Sequence, residues 1–444
     1  MGSGLYCDVA MKQKINIGLI GLGTVGTGVV KILQSNGDLI HRRLGVPIEI
    51  VKIAVRDLKR DRGVTLKPGI LTTNPMDVVT HPDVDIVVEL IGGYEPAKQL
   101  ILDAISRGKQ VVTANKALLA EHGAEIFTKA RAASVQLGFE ASVAGGIPVI
   151  KALKESLAAN RILSIYGIIN GTSNYILTKM TDEDRQFLDV LAEAQKAGYA
   201  EADPTFDVEG IDTAHKLAIL VNLAFGTNVK PADIYTEGIS SIRPIDIDFG
   251  KEFGYKLKLL AIAKYKDGKV ESRVHPTMVP DDYPIAKVQG VYNAIQIVGD
   301  ACGDIMLSGR GAGSLPTGSS VVGDIIDIGR NILIGPSRAL PTPPDGARPI
   351  EVQPMENISA LYYVRFMVFD RPGVLSEISG IFGRYNISIA SVIQRGRKEG
   401  SAVPLVFMTH TALERDMRRA LVEIKQLACM SEDPVLLRVE GEER

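Results

Sequence analysis

Lys216 follows Asp212 by four residues in the stretch GIDTAHKLAIL, so on a helix the two side chains share one face. Their neighbours Ile211, Leu217, Ala218, Ile219 and Leu220 leave such a helix little face for solvent. A buried ammonium needs a partner and titrates readily. Beside a reacting carbonyl it could hand a proton to the developing alkoxide. The same spacing also belongs to an ordinary structural ion pair, and this window alone favours that plainer reading. A second lysine, Lys116, sits in TANK just after the apolar run 110–113. If that run is a parallel strand, Lys116 stands at its carboxyl end, where ligands of open α/β sheets bind. By position alone a solvated lysine at a helix start has equal claim. GYAEADP places Glu201 and Asp203 in a turn shortly before the Asp212 helix. Glu201 could grip a substrate ammonium, or it is a loop acid.

The segment Gly21-Leu22-Gly23-Thr24-Val25-Gly26 has the spacing G-x-G-x-x-G, directly after the apolar run 15–20 and before a helical pattern. Gly21 suits a tight turn. Gly23 would let a pyrophosphate approach the backbone, and Gly26 would let helix and strand pack closely. The free N–H groups of the helix start, including those of Thr24 and Val25, would face the phosphates. Strand context turns a weak motif into a dinucleotide site. At the end of the second apolar run, 48–55, stands Arg56 rather than a carboxylate. An arginine there suits a 2′-phosphate, which favours NADP(H) and leaves NAD(H) open. FEASVAGGIP, from Phe139, carries the acid Glu140 among glycines whose carbonyls are accessible. All-oxygen surroundings suit a hard cation, and a flexible hinge with one acid is the plainer reading.

Residues 14–140 alternate apolar runs (15–20, 48–55, 86–91, 110–113, 135–139) with helical patterns (26–34, 97–107), which predicts a parallel sheet with helical crossovers. From 141 to 306 the pattern predicts a second, α+β domain. Its helices are expected at 147–158, 181–197 and 211–225, and its strands at 162–169, 257–264 and 270–278. A glycine-rich segment and a helix at 319–332 return late, so 307–334 is assigned to the first domain. Residues 335–356 are dense in proline and glycine and read as a linker. Beyond it, 357–444 shows the order βαββαβ, a ferredoxin-like unit. The fold class is therefore α/β: a Rossmann-type parallel sheet domain, a second α+β domain, and a C-terminal ferredoxin-like domain.

The chain has 444 residues, 45% hydrophobic, enough for several cores, and a formal charge of -2 gives no reason to expect nucleic acid. Cys7, Cys302 and Cys429 are odd in number and scattered, which argues against disulfides or a thiolate metal site. No apolar run is long enough to cross a bilayer, and residues 1–13 read as a disordered lead without a secretory pattern. A reducing cytoplasm, with no membrane partner, is the expected location. No histidine pair has ligand spacing, and no thiol has a nucleophile's context.

The ordered set TANK, FEASVAGGIP, GTSNYI, GYAEADP and the Asp212/Lys216 pair resembles homoserine dehydrogenase. The late GRGAGSLPTGS is similar to that family's returning segment, and the likeness runs from about Ile15 to Ile332. The resemblance implies reversible reduction of L-aspartate 4-semialdehyde to L-homoserine by NAD(P)H. It implies Lys216 as acid/base, Lys116 as a second essential lysine near the nicotinamide, and Glu201 and Asp212 as ligands of the amino-acid substrate. Gly198 and Gly311 correspond to backbone contacts near the cofactor. Glu140, with the carbonyls of Val143, Gly145 and Ile147, corresponds to a monovalent cation site, usually sodium. A homo-oligomer, dimer or tetramer, follows from the same likeness, which assigns catalysis and dimerisation to the α+β domain. The last domain looks like an ACT domain. Asp370-Arg371-Pro372-Gly373 is its first strand-to-helix turn and Asn386 follows the helix. Together they imply an amino-acid effector, by family analogy threonine. Two rival readings are a dehydrogenase of another small amino or oxo acid, and a non-catalytic amino-acid sensor.

Overall fold

The computed structural model of the chain describes residues 12–335, 350–395 and 401–441. They pack as two compact units. The first holds the residues up to 158 and those from 309 to 335. The second holds 159–308 and the residues from 350 onward.

In the first unit the Val/Ile/Leu runs become strands β1 (Ile15–Ile20), β2 (Ile48–Ala54), β3 (Leu71–Thr72), β4 (Ile86–Glu89), β5 (Gln110–Thr113) and β6 (Leu137–Gly138). Their order is β3-β2-β1-β4-β5-β6, and every pairing is parallel. The order reverses between β1 and β4, so the crevice at their carboxyl ends is the natural ligand position. Ile15, Ile17 and Leu19 pack into one cluster with Val29 and Ile325, while Ile20 joins Val87, Leu100 and Leu118 in another. Burial on both faces is why β1 reads as an unbroken apolar run.

The helix Ser314–Ile334 packs in this unit against Thr24–Ser35. The approach is backbone to backbone. A Cβ on Gly28 would lie 2.0 Å from the Ser314 carbonyl oxygen, and one on Gly318 would lie 2.9 Å from Gly28. The segment expected as a helix at 147–158 is helical at Val149–Lys151 and widens into a π turn at Ala152–Ser156.

The second unit is built on one 12-stranded sheet. It contains β7 (Ile162–Ile168), β8 (Tyr235–Thr236), β9 (Tyr255–Lys266), β10 (Lys269–Pro280), β11 (Tyr292–Gly299) and β12 (Gly303–Arg310). It continues with β13 (Glu351–Val352), β14 (Ser359–Phe369), β15 (Ile389–Gln394), β16 (Ala402–Thr409), β17 (Ala412–Leu413) and β18 (Val435–Val439). The main path is β12-β11-β7-β9-β10-β18-β14-β16-β15. The last four strands, with helices Val374–Arg384 and Glu414–Ile424, make the expected βαββαβ unit. Its closing strand β18 pairs in parallel with β10, through Thr277↔Arg438 and Met278↔Val439. Middle and C-terminal parts thus share a single sheet.

One expected helix is corrected. Residues 181–197 are not continuous: helix Gly171–Glu183 ends, and a new helix runs over Phe187–Lys196. Asp184 stands between them in the left-handed region at φ 51, which no helix can pass through. The acids of TDEDR that read as a helix's first turn close one helix instead. A helix at Pro244–Glu252, started by a proline at its first turn, and strands β11 and β12 were not anticipated.

Among the described residues no helix is long and apolar enough to cross a membrane. Among them Cys302 is exposed, Cys429 is buried, and both are free thiols; Cys7 lies outside the described residues.

Candidate active site

The glycine loop follows β1 directly. Gly21 has φ +108, and a Cβ there would lie 2.8 Å from the Leu90 carbonyl oxygen. A Cβ on Gly26 would lie 2.4 Å from the Gly21 carbonyl oxygen. Gly23 is different: nothing lies within 4 Å of where its Cβ would stand. It caps helix Thr24–Ser35 without a side-chain bond, so the first N–H groups are left for another acceptor. An open glycine beside free helix-start donors fits a pyrophosphate. Arg56 is exposed at the end of the second strand. Sequence reasoning missed Arg62, whose Nε donates to the Leu22 carbonyl at 3.2 Å and so borders the loop itself.

Across the switch point β4 ends in Glu89, which is fully buried. Its carboxylate accepts from Thr113 Oγ1 (2.6 Å) and from the amides of Ile91 (2.8 Å) and Gly92 (3.1 Å), pinning the loop after β4 to β5. Asn115 caps the next helix by accepting from the Leu118 amide (3.1 Å), and its Nδ2 donates to the Gly93 carbonyl (2.7 Å). Lys116 is therefore the first residue of helix Lys116–Ala132, half-buried at the carboxyl edge of β5.

In the second unit Asp212 and Lys216 lie on helix Ile211–Phe225, and both are buried. Lys216 Nζ donates to Asp212 Oδ2 (2.7 Å) and to the Ile169 carbonyl (2.6 Å). Asn170 Nδ2 donates to Asp212 Oδ2 (2.9 Å) and Asp207 Oδ1 (2.7 Å). Thr172 Oγ1 donates to Asp207 Oδ2 (3.0 Å), and its other contact is the Tyr199 carbonyl (2.7 Å). The GTSNYI and GYAEADP segments thus meet at Thr172 and Tyr199, linked through Asp207 and Asn170 to the Asp212–Lys216 pair. Asp207 and Asn170 were not singled out in sequence, because only folding brings them beside Asp212. Glu201 is exposed, and the contact it makes is through its backbone carbonyl, which accepts from Gln195 (3.1 Å). Gly198 is exposed with φ +77. Gly311 lies in the first unit, where its carbonyl oxygen would stand 2.4 Å from a Cβ on Gly145.

The predicted cation loop folds tightly, with Ala144 and Gly145 both left-handed at φ 55 and 56. Glu140 is buried, and burial raises its carboxyl above the usual range against the pull of two backbone amides. Those amides, of Ile150 and Lys151, donate to its two oxygens at 2.8 Å each. The Gly145 carbonyl accepts from Ser320 Oγ (2.7 Å) and that of Ile147 from the Val149 amide (2.8 Å). Carboxylate and carbonyl oxygens keep further lone pairs, so this donor set, with Val143, fits a hard cation. Among the described residues no cluster of three His, Cys, Asp or Glu side chains could hold a metal. In the C-terminal domain Gly373 (φ +94) opens helix Val374–Arg384, with Pro372 exposed and Asp370 half-buried; Asn386 is left-handed at φ 55.

A parallel sheet with an open glycine loop at its switch point fits a dinucleotide, and with the family matches that follow it places the chain among the nicotinamide-dependent oxidoreductases acting on CH–OH. Family models agree. The homoserine dehydrogenase NAD-binding domain matches residues 21–140, the homoserine dehydrogenase catalytic domain 148–326, and the ACT domain 362–429. Homoserine dehydrogenase of Pseudomonas aeruginosa is 46% identical over 96% of this chain and 99% of its own length. That of Bacillus subtilis is 42% identical over 97% and 99%. The crystal structure of a homoserine dehydrogenase from Thiobacillus denitrificans superposes with a TM-score of 0.90 at 46% identity, over 96% of this chain and 98% of that one. A hyperthermophilic archaeal homoserine dehydrogenase in complex with NADPH matches with a TM-score of 0.62 at 27% identity, over 73% of this chain and 100% of the other. The chain belongs to the homoserine dehydrogenase family, in a form that carries a C-terminal ACT domain.

Proposed function

We propose that the chain catalyses the reversible reduction of L-aspartate 4-semialdehyde to L-homoserine, with Lys216 as the proton donor and acceptor. The observation that carries this reading is the buried ammonium of Lys216, held by Asp212 and the Ile169 carbonyl. A fixed ammonium loses little orientational freedom when a carbonyl oxygen arrives, and it stabilises the alkoxide as it forms. When bound, the reduced nicotinamide supplies the hydride. In the direction of reduction Lys216 gives its proton to the substrate oxygen; in oxidation it takes one back. Lys116, at the helix start after β5, is the second essential lysine, near the nicotinamide. Asp212 and Glu201 bind the substrate ammonium.

The glycine loop of Gly21, Gly23, Thr24, Val25 and Gly26 receives the pyrophosphate, with Gly198 and Gly311 as further backbone contacts near the cofactor. Arg56 supports a preference for NADP(H), and the position of Arg62 beside the same loop adds a second cation there. Glu140, with the carbonyls of Val143, Gly145 and Ile147, holds a monovalent cation, sodium by family likeness. Threonine is the effector, received at the turn of Asp370, Pro372 and Gly373 and at Asn386. A cytoplasmic homo-oligomer, dimer or tetramer, completes the reading. On this reading the segments 14–140 with 307–334 bind the dinucleotide, 141–306 bind substrate and dimerise, and 357–444 regulate.

The test is Lys216→Ala. Turnover of L-homoserine with NADP or NAD falls by at least about a thousandfold, as expected for loss of a proton-transfer group that also stabilises charge. NADPH binding, read by fluorescence titration, stays within about twofold. Near-normal turnover would remove Lys216 from the chemistry. The same assay run with and without threonine tests the effector.

A further inference from the structure

We infer that Glu237, gripped by Arg438 of the C-terminal domain, is a positioning residue for the Asp212–Lys216 pair. The inference rests on the reading of that pair as the substrate site, and it adds what holds the pair in place.

The segment Tyr235–Ile239 lies against the turn that launches the Lys216 helix. The Ile239 amide donates to the Val208 carbonyl at 2.8 Å, and the Glu237 amide to the Val274 carbonyl at 2.8 Å, tying the segment to the turn and to β10. A Cβ on Gly238 would lie 2.6 Å from Glu209 Cα, so the two stretches are in backbone contact. Gly210, left-handed at φ +79, opens the helix, and a Cβ there would stand 3.1 Å from both Thr236 Cγ2 and Val274 Cγ1. Asp207, in the same turn, shares Asn170 Nδ2 with Asp212. A shift of residues 237–239 therefore carries the turn with it and disturbs both carboxylates.

What fixes Glu237 comes from β18, the C-terminal strand that pairs with β10. Its Oε2 accepts from the Tyr235 hydroxyl (2.8 Å) and from the Arg438 guanidinium. Arg438 is buried on β18; its Nε and Nη2 donate to Glu414, and Nη2 also to the Tyr235 hydroxyl (3.3 Å). Glu414 also accepts from the Tyr362 hydroxyl (3.0 Å). Glu414 and Tyr362 are core residues of the C-terminal domain, both fully buried. An unbroken chain of hydrogen bonds and backbone contacts thus joins that core to the start of the substrate helix. Close-packed chains of this kind can carry a small displacement at one end to the other, and only a functional measurement shows that they do.

Glu237→Gln keeps the shape and an acceptor for Arg438 but removes the charge, and the side chain is partly exposed, so the fold survives. The KM for homoserine rises about five- to tenfold, the scale of a weakened charge-assisted hydrogen bond. The KM for NADP stays within about twofold. Arg438→Lys behaves alike, and the double variant is no worse than the weaker single one, as for two residues acting through one link. An unchanged homoserine KM in Glu237→Gln, or a parallel rise in both KM values, overturns the assignment. Lys216→Ala run beside it separates the two readings. If that variant keeps turnover, the substrate site itself is misassigned. If it is dead while Glu237→Gln has a wild-type homoserine KM, only the positioning role falls.

Discussion

Gly21, Gly23 and Gly26 share one motif and impose three different demands. Gly21 needs its positive φ, and Gly26 has no room beside the Gly21 carbonyl, whereas the space at Gly23 is open. A substitution at Gly23 therefore separates folding from binding. Gly23→Ala leaves stability within about 0.5 kcal/mol, as for a change that meets no neighbour. The added methyl stands where a pyrophosphate must approach, so the dissociation constant for NADPH rises about tenfold or more, the scale of a lost charge-assisted hydrogen bond. Fluorescence titration and thermal melting on the same sample check both halves; a lower melting temperature with unchanged affinity reverses the assignment. At this scale much was legible. The glycine spacing and the Asp212–Lys216 spacing are local, and an apolar helix around a charged pair announces burial. Asp207, Asn170 and Arg62 were not legible, because their roles come from segments that meet only in three dimensions.

Elements were legible where their signal was strong and self-contained. The strand at 15–20, the helix at 211–225 and the βαββαβ order of the last domain follow from apolar periodicity alone. The expected helix at 181–197 failed because acidic residues mark a helix start only if the helix has not begun earlier; here Asp184 interrupts two helices. The glycine motif accounts for Gly26 of helix Thr24–Ser35 but gives no role to Gly28, which serves the partner helix Ser314–Ile334. A Cβ on Gly28 would lie 2.0 Å from the Ser314 carbonyl oxygen, a backbone atom that cannot rotate away. Gly28→Ala forces the two helices apart and costs about 1–3 kcal/mol or more, the range for overpacking. Gly37 is the control: it starts a helix and nothing lies within 4 Å of where its Cβ would stand. Gly37→Ala is neutral or stabilising by up to about 1 kcal/mol through the unfolded chain. Urea denaturation of the two variants gives the comparison, and equal midpoints would show that the helices have slack.

At the scale of the whole chain, the proline-rich stretch before residue 356 suggested a separable C-terminal domain, yet its strand β18 completes a sheet begun by β10. Side chains reinforce that seam. Arg365 on β14 makes a bidentate pair with Asp246 of helix Pro244–Glu252, at 2.7 and 3.1 Å, and the Tyr363 hydroxyl donates to the same carboxylate at 3.0 Å. All three are buried, and burial, with the Asp246 carboxylate beside it, pushes the Tyr363 hydroxyl far above its ordinary range. No periodicity could have revealed this pair, since its members lie in different domains and each looks like a surface charge. A buried pair of this kind adds little net stability, because desolvation offsets its attraction, but breaking it strands a charge. Asp246→Ala therefore costs about 3–5 kcal/mol, and replacing both partners with apolar residues, Asp246→Leu with Arg365→Met, recovers most of that loss. Because the sheet is shared, the single variant loosens the seam first, so calorimetry resolves a C-terminal transition ahead of the rest, whereas the unmutated unit melts as one. A single variant that melts as one and loses less than about 1 kcal/mol, the scale of an exposed ion pair, would mean that β10 and β18 hold the domains together without these charges.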